Sequence, residues 1–376
     1  MRFDPGVRPA LLATALAVAS SVACFHKSPP SGAIQVEPAY GTASLPQDPD
    51  DPAIWVHPTD PSRSLIIGTM KVAAPAGAIV VFGLDGRIRQ MITGIDRPNN
   101  VDVEYGFQLG GRTVDIAVAT ERLARALRVF AIDASAGRLI DLGAIPVLQG
   151  EAGEAGAPMG IALYRRPSDN AMFAIVAPKT GPREGYLWQY RLTDTGRGGI
   201  GATFVRRLGV FSANTVRAEN EIEAVAVDDA LGYVYYADEG DGIHKWHADP
   251  DHRDASRELA HFARSGFRGD REGIAIYALP DGTGYIVCTD QLEGDSEYHI
   301  YAREGAPGNP HDHSREIAVI NGGADSTDGL DISSATLGTR LPHGVMVAMN
   351  SAPRNFLVFG WEDIAATIRP PLRMTR

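Results

Sequence analysis

Short apolar runs that end in a polar residue recur along the chain: "LIIGTMK" (65–71), "DIAVATER" (115–122), "FAIVAPK" (173–179), "YVYYADE" (233–239), "YIVCTDQ" (285–291) and "VMVAMNS" (345–351). These six runs are separated by about fifty to sixty residues, the range of propeller-blade repeats. Each is followed by a second apolar segment that ends in a turn, such as "AIVVFGLDG", "YLWQYRLTD" or "FLVFGWED". Each is preceded by another, such as "DDPAIWVHP", "NNVDVEYGF", "PMGIALY" or "DREGIAIYA". Short segments rich in Val, Ile, Tyr and Phe and bounded by Gly, Asp and Pro read as strands. With a weaker outer strand per unit, such as "REIAVI", the pattern predicts an all-β protein, a six-bladed β-propeller. A pair of β-sandwiches would not give six matched units. An α/β fold would need amphipathic helices between the strands, and no helix longer than about two turns is legible beyond the N-terminal region.

Composition agrees with an ordinary globular protein: 376 residues, 44% hydrophobic and 22% charged. The net charge of −11 argues against non-specific binding to nucleic acid, which depends on cations placed against phosphates. A cation, or a substrate that carries one, suits this surface better.

The N-terminus carries Arg2 and Arg8, then "ALLATALAVASSVAC", then a polar stretch rich in Pro and Ser. This pattern is a secretory signal, too short for a spanning helix. Cys24 after "SVA" resembles a bacterial lipoprotein cleavage box, with Ser21 where an aliphatic residue is usual; lipid anchoring at Cys24 and ordinary cleavage and release both stay open. The expected organisation is a signal peptide and linker over residues 1–30 and one propeller domain over 31–376. The expected location is outside the cytoplasm: periplasmic, outer-membrane lipoprotein or secreted. Cys288 is the only other cysteine, so no disulfide can form within the mature domain.

In a propeller, equivalent points of the repeats become neighbours around one axis. Two rings of chemistry-bearing residues follow. The first contains Asp50 and Asp51, Asn100 and Asp102, Glu221 and Glu223, Asp270 and Glu272, and Asp325, Asp328 and Asp331; the third unit has Met159 there instead of an acid. Oxygen ligands in this number suit hard cations, and Ca²⁺ tolerates irregular six- to eight-fold geometry. No His or Cys cluster with zinc spacing is legible, and His311 and His313, in a loop rich in Gly and Pro, read as surface residues. The second ring is the polar residue ending each apolar run: Lys71, Arg122, Lys179, Glu239, Gln291 and Ser351. Its first three members are cations, which predicts a basic arc facing an acidic one, and phosphate is the natural anion for such an arc.

At these residues the sequence resembles the β-propeller phytases, calcium-dependent enzymes that hydrolyse inositol hexakisphosphate. The resemblance rests on "DPDDPAIWVHP", "NNVDVEYGF", "DIAVATER", "EAVAVDD" with "GYVYYADE", "DREGIAIY" and "DSTDGLDI", and spans residues 36 to 362. It implies that Lys71, Arg122 and Lys179 bind substrate phosphates; Gln291 joins them as a substrate-binding candidate from the second ring alone. It also implies that Asp50, Glu223, Glu239, Asp270, Glu272 and Asp328 hold several calcium ions, and that a metal-activated water attacks phosphorus. Asp51, Asn100 and Asp102 join the candidate ligands from the ring alone. Lys71, Arg122, Lys179, Glu223 and Glu239 are the expected catalytic group, and phytate, as its calcium complex, the expected partner of a monomer. Three departures bear on turnover and substrate preference: Val72 where a second Lys is found, Met159 where Tyr is frequent, and Thr180 in place of Glu. Two further readings share the architecture, a calcium-dependent lactonase or esterase and a propeller that binds phytate without turnover.

Overall fold

A computed structural model describes Met1, residues 32–212 and residues 221–375; the predicted signal peptide and Cys24 lie outside these residues. From Gly32 onward the described residues form one unit. Its strands form six separate sheets, five of four strands and one of five, so the six-bladed reading holds. The innermost strands are Pro49–Trp55, Pro98–Leu109, Pro158–Arg165, Val225–Asp228, Asp270–Ala278 and Leu330–Ser333, for blades 1 to 6 in that order. Each blade then meanders outward through antiparallel neighbours.

The second strands read as unbroken apolar runs because both of their faces are covered. In Leu65–Met70 of blade 1 all six residues are buried. Ile66 packs toward blade 6 and Ile67 toward blade 2, alternating as strand side chains must. The core is accordingly six apolar clusters, one between each pair of neighbouring blades. Trp55 is fully buried between blades 1 and 2 and donates its Nε1–H to Asp115 at 2.9 Å. A side chain of that size contributes roughly 1.5–3 kcal/mol through burial.

The ring closes with residues from its beginning. Tyr40–Gly41 pairs antiparallel with Asn355–Gly360 as the fourth strand of blade 6, and Ile34–Gln35 adds a fifth, parallel strand to blade 5 beside Glu316–Asn321. Neither two-residue strand carries a periodic signal in the sequence. The one α-helix of the described residues, Trp361–Thr367, follows blade 6 and buries Trp361 flat against Tyr277, with ring centroids 3.9 Å apart.

Candidate metal and phosphate site

Four of the six innermost strands carry the same irregularity near their first residues. The pairing register shifts between Pro49 and Pro52, Pro98 and Val101, Pro158 and Ile161, and Arg271 and Ile274. A bulge inserts an extra residue and re-aims its neighbours, so consecutive polar residues at these positions escape strict alternation. This is how "DD" at 50–51 and "NN" at 99–100 all become interior groups: Asp50 and Asn99 are fully buried and Asn100 nearly so.

Around Asp50 the acids and cations interlock. Asn99 Nδ2 bridges Asp50 Oδ2 at 3.1 Å and Glu223 Oε1 at 2.9 Å, tying blades 1, 2 and 4 together. Lys71 Nζ contacts the Asp50 carboxylate and donates to Asp328 Oδ2 at 2.8 Å. Gln291 Nε2 donates to the other Asp328 oxygen. Lys179 Nζ donates to Glu221 Oε1 at 2.5 Å, and the Glu221 N–H donates to Glu239 Oε2 at 3.0 Å. The predicted basic and acidic arcs are therefore not separate; two of the three cations are already paired with carboxylates.

Glu221, Glu223 and Glu239 are all buried and each brings a carboxylate oxygen within 4.8 Å of the others. Their close packing has a backbone cause. A Cβ at Gly160 would lie 1.9 Å from the Glu223 carbonyl oxygen, so only glycine lets blade 3 approach the residue that carries this acid. Arg271, buried against Phe267, donates to the Glu239 carbonyl at 2.8 Å and fixes that residue from blade 5.

Burial, then Glu221 and Glu223, pushes the Glu239 carboxyl up to about 9. Burial and Glu223 bring Glu221 to about 7. Glu272 is raised well above the usual range by burial, with Glu239, Glu223 and Asp328 adding to it. Lys71 shows the converse: burial opposes its charge, but Asp50, Asp328 and Glu223 outweigh it and hold the ammonium charged. Asp270 contributes to the negative field on Glu239. Glu221 Oε2 and Asn99 Oδ1 are buried without a hydrogen-bond partner among the described residues. Crowded carboxylates and unpartnered oxygens, with oxygen donors throughout, fit a hard divalent cation.

Other members of the predicted ring sit differently. Asp51, Asp102 and Asp331 line the central channel, where each carboxylate accepts a hydrogen bond from the backbone of the next blade. Asp51 Oδ2 accepts from Val101 N at 2.9 Å, Asp102 Oδ2 from Leu163 N at 2.6 Å and Asp331 Oδ2 from Ile54 N at 2.7 Å. Asn100, with its NH₂ turned toward acceptors, reaches the Met159 carbonyl at 3.1 Å and Glu223 at 3.2 Å. Asp325 accepts from the loop N–H groups of Gly294 and Ala352. Met159 is buried and its carbonyl also accepts from Thr120 Oγ1 at 2.6 Å. Asp48 is exposed.

Two residues of the site carry no clear signal in the sequence. Asn99 is one; with strict strand alternation only Asn100 and Asp102 would share a face. Arg97 is the other, a positive-φ residue whose N–H donates to the Val72 carbonyl and whose carbonyl accepts from Arg122 N, both at 3.1 Å. The Nε atoms of Arg97 and Arg122 are buried without a hydrogen-bond partner among the described residues, and the charge of Arg97 bears on Arg122. His313 corrects the sequence reading: it is 2% exposed and its Nε2 lies 3.1 Å from the ammonium of buried Lys245.

The family model for phytase matches residues 10–372. A 3-phytase from Bacillus subtilis (strain 168) is 31% identical over 329 residues, covering 84% of this chain and 80% of the relative. Among solved structures, a luciferin-regenerating enzyme aligns over 86% of this chain and 94% of its own at 12% identity, with a TM-score of 0.50, a likeness of fold alone. The β-propeller domain of Swd1 from Myceliophteria thermophila aligns over 85% and 99% at 9% identity, with a TM-score of 0.45. With its six blades and the family match along nearly all of the propeller, the chain belongs to the phytase family and is a phosphoric monoester hydrolase.

Proposed function

We propose that the protein releases phosphate from phytate in a calcium-dependent reaction, as an exported monomer that is either lipid-anchored at Cys24 or released. The observation that supports calcium is the buried trio Glu221, Glu223 and Glu239, with Asp50, Glu272 and Asp328 around the same group of cations. These residues, with Asp270 at the edge, would hold the metal ions. Calcium, when bound, supplies positive charge to phosphoryl oxygens and acidifies water within its reach.

The chain's own groups do the rest. Lys71, Arg122 and Lys179 receive substrate phosphates, with Arg97 beside Arg122. A phosphate oxygen that draws the Lys71 ammonium away from Asp50 and Asp328 frees two carboxylates, so substrate binding and acid exposure are coupled. Asn99 orients Asp50 and Glu223, and Gln291 holds Asp328. The buried walls limit water to what the acids position.

The test is inorganic phosphate released from phytate by purified protein, with calcium titrated from excess chelator to millimolar. Calcium-dependent release is expected, together with a rise in melting temperature over the same concentrations, since a metal that binds only the folded state stabilises it. Full release under chelation would overturn the calcium reading. Lactone cleavage or tight phytate binding without release would favour the two other readings of this architecture.

A further inference from the structure

Blade 4 carries a second constellation outside this site. Its third strand, Gly242–His247, pairs with its outer strand, Ala260–Phe262, so that His244 and His261 stand directly opposite each other. Directly opposed residues share a face of the sheet, and the two rings lie 4.0 Å apart by centroid. Glu258, from the loop before the outer strand, meets His244 Nδ1, and Asp241, from the turn before Gly242, lies 3.7 Å from His261 Nε2. A ring nitrogen of each histidine and a carboxylate oxygen of Glu258 all fall within 4.8 Å of one another.

Two further observations point to a ligand. His244 is 2% exposed, yet its Nε2 has no hydrogen-bond partner among the described residues, and the same is true of His261 Nε2. A buried polar atom left unpaired is costly, and with Glu258 on Nδ1 it is the Nε2 of His244 that stands open.

We propose that His244, His261 and Glu258, with Asp241 as fourth donor, form a zinc-type transition-metal site on the rim of blade 4, distinct from the oxygen-lined cluster at the blade ends. Two imidazoles and carboxylates suit Zn²⁺ and its neighbours, whereas calcium takes oxygen donors. The stacked rings, inclined 17° to each other, turn out of parallel for both to reach one ion, whose tetrahedral donors lie about 3.3 Å apart. His261, Glu258 and Asp241 are part-exposed, which gives the ion a way in. The bound metal would tie down the outer strand of blade 4, which has three residues where the other blades that build this strand from the repeat have six to eleven.

The full-length, calcium-saturated protein is titrated with Zn²⁺ alone, bound zinc is measured after desalting, and Co²⁺ absorption reports tetrahedral ligation. One zinc per chain is expected, lost in His261→Gln and weakened at least about 10-fold in Glu258→Gln, with phosphate release unchanged in both. Glu258→Gln, at a loop position with 34% of its side chain exposed, gives the answer should the histidine variant not fold. His252→Gln, which disturbs the nearby His247–His252 pair, is expected to leave zinc bound. Absence of zinc from the wild type, zinc retained by both His261→Gln and Glu258→Gln, or zinc lost in His252→Gln while His261→Gln keeps it would each overturn the proposal.

Discussion

Asp50 and Asp51 are chain neighbours with the same functional group, and they do different work. Asp50 faces Lys71 and Asn99, in a group where carboxylates outnumber cations and oxygens are left unpartnered. Asp51 turns into the channel and accepts the Val101 N–H of blade 2; Asp102 does the same toward blade 3, and Asp331 toward blade 1. Three successive joints of the ring, 6 to 1, 1 to 2 and 2 to 3, are thus stapled by one carboxylate each. Burial raises the carboxyls of both kinds, and backbone N–H groups from the neighbouring blade offset part of that rise for the second. An acidic ring read from repeats alone merges the two, because what separates them is the direction in which each side chain leaves a bulged strand.

The comparison predicts opposite responses to substitution. The largest effect is expected for Glu239→Gln: phosphate release falls at least about 100-fold, while the melting temperature of the metal-free protein at about pH 9 rises, because a carboxyl that ionises there leaves a buried trio. A metal-free melting temperature that falls there would show Glu239 to be stapling rather than crowded. Next in size is Asp331→Ala, which leaves the Ile54 and Ile332 N–H groups without their acceptor and is expected to cost about 1–3 kcal/mol in denaturant unfolding. Calcium should not restore that loss; if it does, Asp331 belongs with the metal-holding acids.

A third test is the dependence of stability on pH. In the unfolded chain glutamates release their protons near 4.5, whereas the folded metal-free protein holds that of Glu221 to about 7 and that of Glu239 to about 9. Between these values the folded state binds more protons, so their contribution is complete below about 4.5 and fades as pH rises toward 9. Melting curves of chelated protein from pH 5 to 9 should show this decline, and saturating calcium should flatten it. A chelated protein that gains stability over that range would contradict the raised values.

The repeat was legible because propeller strands buried on both faces give continuous apolar runs, and six runs at one spacing leave little room for another architecture. The cations were legible for the same reason: Lys71, Arg122 and Lys179 each follow such a run. Asn99 and Arg97 were not, since a bulge breaks the period that would have selected them. Closure by Tyr40–Gly41 was hidden because two residues carry no pattern, and the His244–His261 pair because cross-strand register is set by a loop whose length says nothing about which side chains meet.

That closure also has a mechanical meaning. The last blade is woven from both ends of the propeller, with Tyr40–Gly41 laid along Asn355–Gly360, so its seam lies inside a sheet. Tension applied near Gly32 would first load the two backbone pairings of Ile34–Gln35 and then those of Tyr40–Gly41, peeling them one at a time like a zip. Blades 1 to 4, which borrow no strand, would feel the load only after the zip had opened, so the ring should fail under force at its rim before it fails at its centre.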